Sequence, residues 1–348
     1  MHTTARTRTA ARVAAFAALA LLTATAAAAA ALSGPPKLKR LRVLDQIRLG
    51  DLGAGITYAD GAIWVQTVAR NELIRIDPKM NRITGRLKLP DATSGDAEDV
   101  APPPAYGAGS LWLVGGSDGT NEASTVTRVN LNPLSVTKKI KVNEPFYVGF
   151  GFGSVWVIQF YPYRWSKIAP RTNKVVKSVS AIGPTSFATG AGSVWILAHR
   201  ARSLLRLDPR TDDVVATIPI RTLGSSTENV AFGFGSIWIT DPLSPSVTRV
   251  DVKTNKQLVE ILMPNGITNP DALTVGAGFV WLASDHDLVR VDPRTNRVTG
   301  ALGVRPPRKS PPCGPDTQYN CFPGVTFGDG SVWAVDNSRH EVLRVAPT

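Results

Sequence analysis

Few residues in this chain have the chemistry for a reaction, and they sit far apart. Of four histidines, His286 stands out, because Asp285 and Asp287 flank it in the run Ser284-Asp285-His286-Asp287. An imidazole beside carboxylates can move a proton near neutral pH, although a solvated Ser-Asp-His-Asp turn is the plainer reading. His199, followed by Arg200, is a second histidine two repeats earlier. A different chemistry is offered by Phe160-Tyr161-Pro162-Tyr163-Arg164-Trp165, with Glu144, Phe146 and Tyr147 shortly before it. Tyr161, Tyr163 and Trp165 are residue types that anchor interfaces and on which sugar rings stack; the plainer alternative is that they cover an enlarged loop. Signatures of common enzyme classes are lacking: there is no Gly-x-Ser-x-Gly elbow, no His-x-x-x-His pair and no Gly-rich phosphate loop.

These residues are strung on a repeat. Seven of the eight tryptophans share one setting, a Gly followed by a short aliphatic strand, as in Gly192-Ser193-Val194-Trp195-Ile196 and Gly235-Ser236-Ile237-Trp238-Ile239. Trp64, Trp112, Trp156, Trp195, Trp238, Trp281 and Trp333 are spaced 48, 44, 39, 43, 43 and 52 residues apart. That period is the length of one four-stranded propeller blade. In the fourth unit Gly190-Ala191-Gly192 forms a tight turn before the Trp strand, and Asp208-Pro209-Arg210-Thr211-Asp212 forms the next. The seventh unit stops at Ala346-Pro347-Thr348, one strand short. Leu41 to Leu49 resembles a fourth strand, so it is expected to pair with the last blade and close the ring, hiding a sheet edge. The expected fold is therefore all-β, a seven-bladed propeller over residues 41–348.

Two repeated features read as scaffold. The Trp lies mid-strand among aliphatic residues and should pack blade against blade. A basic residue recurs in every third strand, at Arg75, Arg128, Lys167, Arg206, Arg249, Arg290 and Arg344. Four of these have Asp two residues on, so a blade-edge ion pair with a buried stem is expected.

Residues 1–32 read as an export signal. Arg6, Arg8 and Arg12 precede an uncharged, Ala-rich stretch from Val13 to Leu32, with small residues fit for cleavage and Ser33-Gly34-Pro35-Pro36 after it. The rival reading is an uncleaved anchor, which the Ala and Thr content argues against. Residues 33–40 form a linker. No Cys follows to take a lipid. Cys313 and Cys321, the only cysteines, lie in a Pro-rich insertion, and in an exported chain they are expected to form a disulfide. Net charge is +12, falling to +9 without the three signal arginines. Export argues against nucleic acid as partner and favours anionic envelope polymers or lipid headgroups. Localisation is expected to be secreted or extracytoplasmic, with membrane contact only through an uncleaved N-terminus, and the protein a monomer.

Leu204-Leu205-Arg206-Leu207-Asp208-Pro209-Arg210-Thr211 and Val214-Val215-Ala216-Thr217-Ile218-Pro219-Ile220 resemble the YVTN family of propeller repeats. The Gly-x-Gly-Ser-Val-Trp variant is similar to the streptogramin lyase (virginiamycin B lyase) branch. The resemblance spans residues 41 to 348 and implies fold more than function. Streptogramin lyases open an ester-linked macrocycle by elimination, using a His base and Mg²⁺ held by glutamates. On that analogy His286 is the base, with Glu228, Asp271 and Asp285 as carboxylates, and Mg²⁺ is needed. No Glu-x-His pair occurs in the corresponding loop, which favours a non-enzymatic module without cofactor. Its ligand, a protein, glycan or small molecule outside the cytoplasm, is expected at the mouth formed by the loops between strands two and three and between successive blades. Those loops hold Asp51, Glu98, Asp99, Glu144, Glu228, Asn229, Asp271, Gln159, His199, Arg200, Asp241, Asp285, His286, Asp336 and Asn337, so an acidic mouth is expected opposite a basic rim.

Overall fold

A computed structural model of the chain describes residues 38–89, 102–117, 123–221, 229–264, 266–304 and 321–348. The expected signal at 1–32, most of the linker, and Glu98, Asp99, Glu228 and Cys313 lie outside them. Arg40–Thr348 form one contact unit, and no helix among the described residues is long and apolar enough to cross a membrane.

Each repeat folds as an antiparallel four-stranded blade. The cleanest is the fourth, with Pro184–Gly190 innermost, then Ser193–Ala198, Ser203–Leu207 and Val214–Pro219 at the rim. Turn chemistry explains the reversals. Ala191 and Gly192 hold φ of 50° and 69° between the first two strands, and Asp208 Oδ1 accepts the Arg210 amide at 2.9 Å in the turn before the last. The same plan recurs seven times around the ring. In the seventh blade the fourth strand is Val43–Arg48, paired antiparallel with Glu341–Val345, and the Ala346 amide donates to Arg42 O at 2.9 Å. The N-terminal segment closes the ring as expected. It also borders the sixth blade, whose outer strand Arg297–Gly303 gains Lys39–Arg40 as a fifth strand.

All seven tryptophans are 0–1% exposed. Each belongs to its own blade and leans on the next: Trp64 packs with Leu111 and Leu113, Trp112 with Val155 and Val157, and Trp333 with Ile56 and Val65. The indole N–H, which burial would otherwise leave unsatisfied, donates at 3.0–3.1 Å to the carbonyl ending the inner strand of the same blade, from Ala59 O for Trp64 to Gly328 O for Trp333.

The recurrent basic residue corrects one expectation. It stands directly opposite the Trp in every blade, as Trp195 does to Arg206 and Trp333 to Arg344, and its cation lies 4.8–6.0 Å from that ring. It does not pair with the Asp two residues on, because that carboxylate is taken up capping its own turn: Asp251 Oδ1 accepts the amides of Lys253 and Thr254. The guanidinium reaches instead into the next blade. Arg128 donates to Pro170 O and Asn173 Oδ1, Arg206 to Val252 O and Asn255 Oδ1, Arg249 to Pro293 O and Asn296 Oδ1, and Arg344 to Pro78 O and Asn81 Oδ1. Lys167 uses an inter-blade ion pair to Asp212 at 2.7 Å. A charged donor on a neutral carbonyl keeps its hydrogen-bond energy without burying a second full charge.

Glycine sets how closely inner strands approach. A Cβ on Gly107 would lie 2.0 Å from Phe150 Cγ, and one on Gly328 would lie 2.0 Å from Tyr58 Cγ. At both positions the inner strand seats a side chain of the following blade.

Candidate functional site

The described mouth residues fall into three groups. The first builds the loops. Asp51 is buried and accepts the amides of Leu52 and Arg70 at 2.8 and 2.7 Å. Asn337, also buried, exchanges two hydrogen bonds with the backbone of Gly53, from the last blade to the first. Gln159 donates to Asn143 O, Asp241 caps Ser244 and Asp336 caps Ser338. Burial pushes the Asp336 carboxyl above its ordinary range. Acids held this way shape their loops.

The region around His286 is only partly drawn together. Asp285 accepts from Thr268 Oγ1 at 3.0 Å and Asn269 Nδ2 at 2.8 Å. Asp271 accepts from Asn229 Nδ2 at 3.1 Å. Among the described residues, the Nδ1 of His286 is buried with no hydrogen-bond partner. Asp287 is raised by its own burial, with His286 pulling the other way. Among the described residues no group of three or more His, Cys, Asp or Glu is arranged to hold a metal. Glu228, the remaining carboxylate of this set, lies outside the described residues.

The aromatic loop of the third blade is more fully assembled. Its inner strand Pro145–Gly151 and Trp strand Ser154–Gln159 end side by side, and Phe160 N donates to Glu144 O at 3.1 Å. Asn143 Nδ2 holds the loop from beneath by donating to Tyr161 O at 2.8 Å, ahead of the cis Tyr161–Pro162 bond. Four rings then pack as one patch. Phe160 lies 5.4 Å from Phe146, 5.2 Å from Tyr161 and 5.4 Å from Tyr163, and the two tyrosines lie 5.3 Å apart at 37°. These spacings are those of favourable aromatic pairs. Tyr161 is 53% exposed, so the patch faces solvent. Burial, then the Tyr161 hydroxyl, raises the Tyr163 phenol above its ordinary value.

The fourth blade supplies a cation. After the strand Ser193–Ala198 the chain makes one short turn, His199–Ala201, and Arg200 Cζ sits 4.7 Å over the Tyr163 ring, within cation–π range. Gly183 makes this possible. It has a φ of +58°, and a Cβ there would lie 2.6 Å from Arg200 Cγ, so only glycine lets the arginine stem lie along the backbone. His199 joins the same wall through its amide, which donates to Gly183 O at 2.8 Å.

Structure and sequence part company at Trp165. It is 3% exposed and stacks on Trp156 at 5.3 Å, because it lies in the third strand, Arg164–Ala169, and not in the loop. It therefore braces the patch from the core. Arg200, expected on the mouth beside His199, is joined to the aromatic patch only by the structure. Its only local signal was the His-Arg pair after a Trp strand, and its approach to Tyr163 depends on how two blades abut.

The fold is that of a seven-bladed β-propeller, a common class of binding or interaction module, here with an aromatic and cationic surface between its third and fourth blades. Neither a known family model nor a curated protein sequence matches the chain.

Proposed function

We propose that this protein is an exported propeller of the YVTN and streptogramin-lyase-like type that binds a ligand outside the cytoplasm, a glycan or a ring-bearing group on a protein, at the surface of Tyr161, Tyr163 and Arg200. The observation that carries this reading is the braced, solvent-facing ring patch with a guanidinium fixed over it. Aromatic faces that need no rearrangement bind at low entropic cost, and a sugar or planar group stacks on such a face while Arg200, Glu144 and His199 offer polar contacts. The expected signal at residues 1–32 and a Cys313–Cys321 disulfide belong to the same reading, and no cofactor is required.

The test is titration of the purified propeller with a panel of glycans and anionic envelope polymers, followed by calorimetry. A Tyr161→Ala/Tyr163→Ala double variant loses binding and His286→Ala keeps it. Retained binding in the double variant, or no binder in the panel, ends the reading.

A second reading, Mg²⁺-dependent elimination on an ester-linked macrocycle, is supported by the buried Nδ1 of His286, which has no hydrogen-bond partner among the described residues. Ring opening by wild type with Mg²⁺, lost in His286→Ala, is its measurement.

A further inference from the structure

The seven outer strands differ in how they guard their open edges. Exposed sheet edges invite pairing with another chain, and lysines, arginines or a covering segment discourage it. The first blade carries Arg82, Arg86 and Lys88 on its outer strand, the second Lys138, Lys139 and Lys141, the third Lys174 and Lys177, the fifth Lys256 and Glu260, and the seventh Asp45 and Arg48. The sixth is covered by Lys39–Arg40. Only the fourth, Val214–Pro219, has no charged residue at all. It is the last strand of its sheet, and Val214 and Val215 are 51% and 57% exposed. On either side, Val175 and Val176 of the third blade and Leu258 and Leu262 of the fifth extend the exposed apolar flank.

We propose that this edge pairs with the same edge of a second copy of the chain, antiparallel about a two-fold axis at Thr217. Charge selects this partner. A strongly basic chain (+12 overall) meets like charge along most of its rim, but not here. In the register with Thr217 opposite itself, Val215 faces Pro219, and exposed Asp213 at one end of each strand faces exposed Arg221 at the other end of its partner, so opposite charges flank both ends. The backbone agrees. Ile220 N donates inward to Arg202 O at 2.9 Å, and alternation places the peptide groups of Thr217 on the open side. Pro219 also falls on the open side, where it lacks a donor, which ends the pairing there and keeps it a closed dimer. This departs from the monomer expected from sequence.

The test uses the position that opposes itself. Hydrogen-bonded antiparallel residues have Cα atoms about 5.5 Å apart, within reach of a disulfide. In Thr217→Cys, mild oxidation yields covalent dimer, whereas Ser178→Cys, the equivalent exposed site on the third blade, does not. Wild type sediments as a dimer that dissociates on dilution, and Thr217→Lys, which sets two lysines against each other, sediments as monomer with its tryptophan fluorescence unchanged. A wild type that is monomeric at every concentration, or crosslinking of the Ser178→Cys variant as fast as that of Thr217→Cys, overturns the proposal.

Discussion

Arg344 of the last blade donates from Nη1 to the carbonyl of Pro78 in the first at 2.7 Å, while its guanidinium lies 5.1 Å over Trp333. The contact spans the seam between the last blade and the first, so the ring is sealed by side chains as well as by the strand Val43–Arg48. Arg344→Ala leaves Pro78 O and Asn81 without their donor and should lower unfolding free energy by about 2 kcal/mol. Arg75→Ala, at an exposed position, should cost less. Urea unfolding followed by tryptophan fluorescence compares the two, and equal losses would contradict the latch.

Close approach of the inner strands is a second point of sensitivity. Gly107→Ala puts a methyl group against the Phe150 ring and should cost about 1–3 kcal/mol through overpacking. Adding Phe150→Ala should recover part of that loss, because the two sites share one contact. A double variant no more stable than the additive sum would refute the steric account.

Stability should also depend on pH through Glu341. Burial, then the nearby Asp336 carboxylate, raises its pKa above the ordinary 4.5. A carboxyl with a raised folded-state pKa holds its proton more tightly in the native chain, so stability falls as pH climbs from about 4.5 through the folded value. Glu341→Gln removes that titration. Its melting temperature, relative to wild type, should therefore rise between acidic and neutral pH, and parallel profiles for the two proteins would show that Glu341 does not contribute.

Arg200→Ala should weaken the binding proposed for the aromatic patch by roughly 2–5-fold, the worth of one exposed cation–π contact. Gly183→Ala should do the same without touching the rings, by displacing the arginine stem. Calorimetric titration with the same ligand reads both variants, and full affinity in either would remove Arg200 from the site.

Labelling with iodoacetamide checks the cysteines. Cys321 is fully buried, so native protein alone would not label there. The informative sample is protein unfolded without reductant, in which a Cys313–Cys321 disulfide leaves both positions unmodified until reductant is added.

Blade number, strand order within a blade and the closing strand were legible in the sequence, because turn chemistry and the Trp period are local and repeat seven times. The basic residue of each third strand was legible as a position but not as a contact. An ion pair with the Asp two residues on satisfied every local rule, yet that Asp is consumed by its own turn and the arginine has a carbonyl in reach only once the next blade is in place. Trp165 was misplaced for a related reason, since the boundary between loop and strand after Tyr163 depends on pairing with Ser154–Gln159 and Lys174–Ser180.

By itself, then, the sequence determined the propeller, since hydrophobic alternation and glycine turns recur with the Trp strand seven times. Tertiary structure decided what the surfaces are. Arg200 meets Tyr163, and Val214–Pro219 stands as the uncharged edge among guarded ones, through relations between blades that short-range patterns do not encode, because they arise from the angle and distance at which separately folded sheets pack.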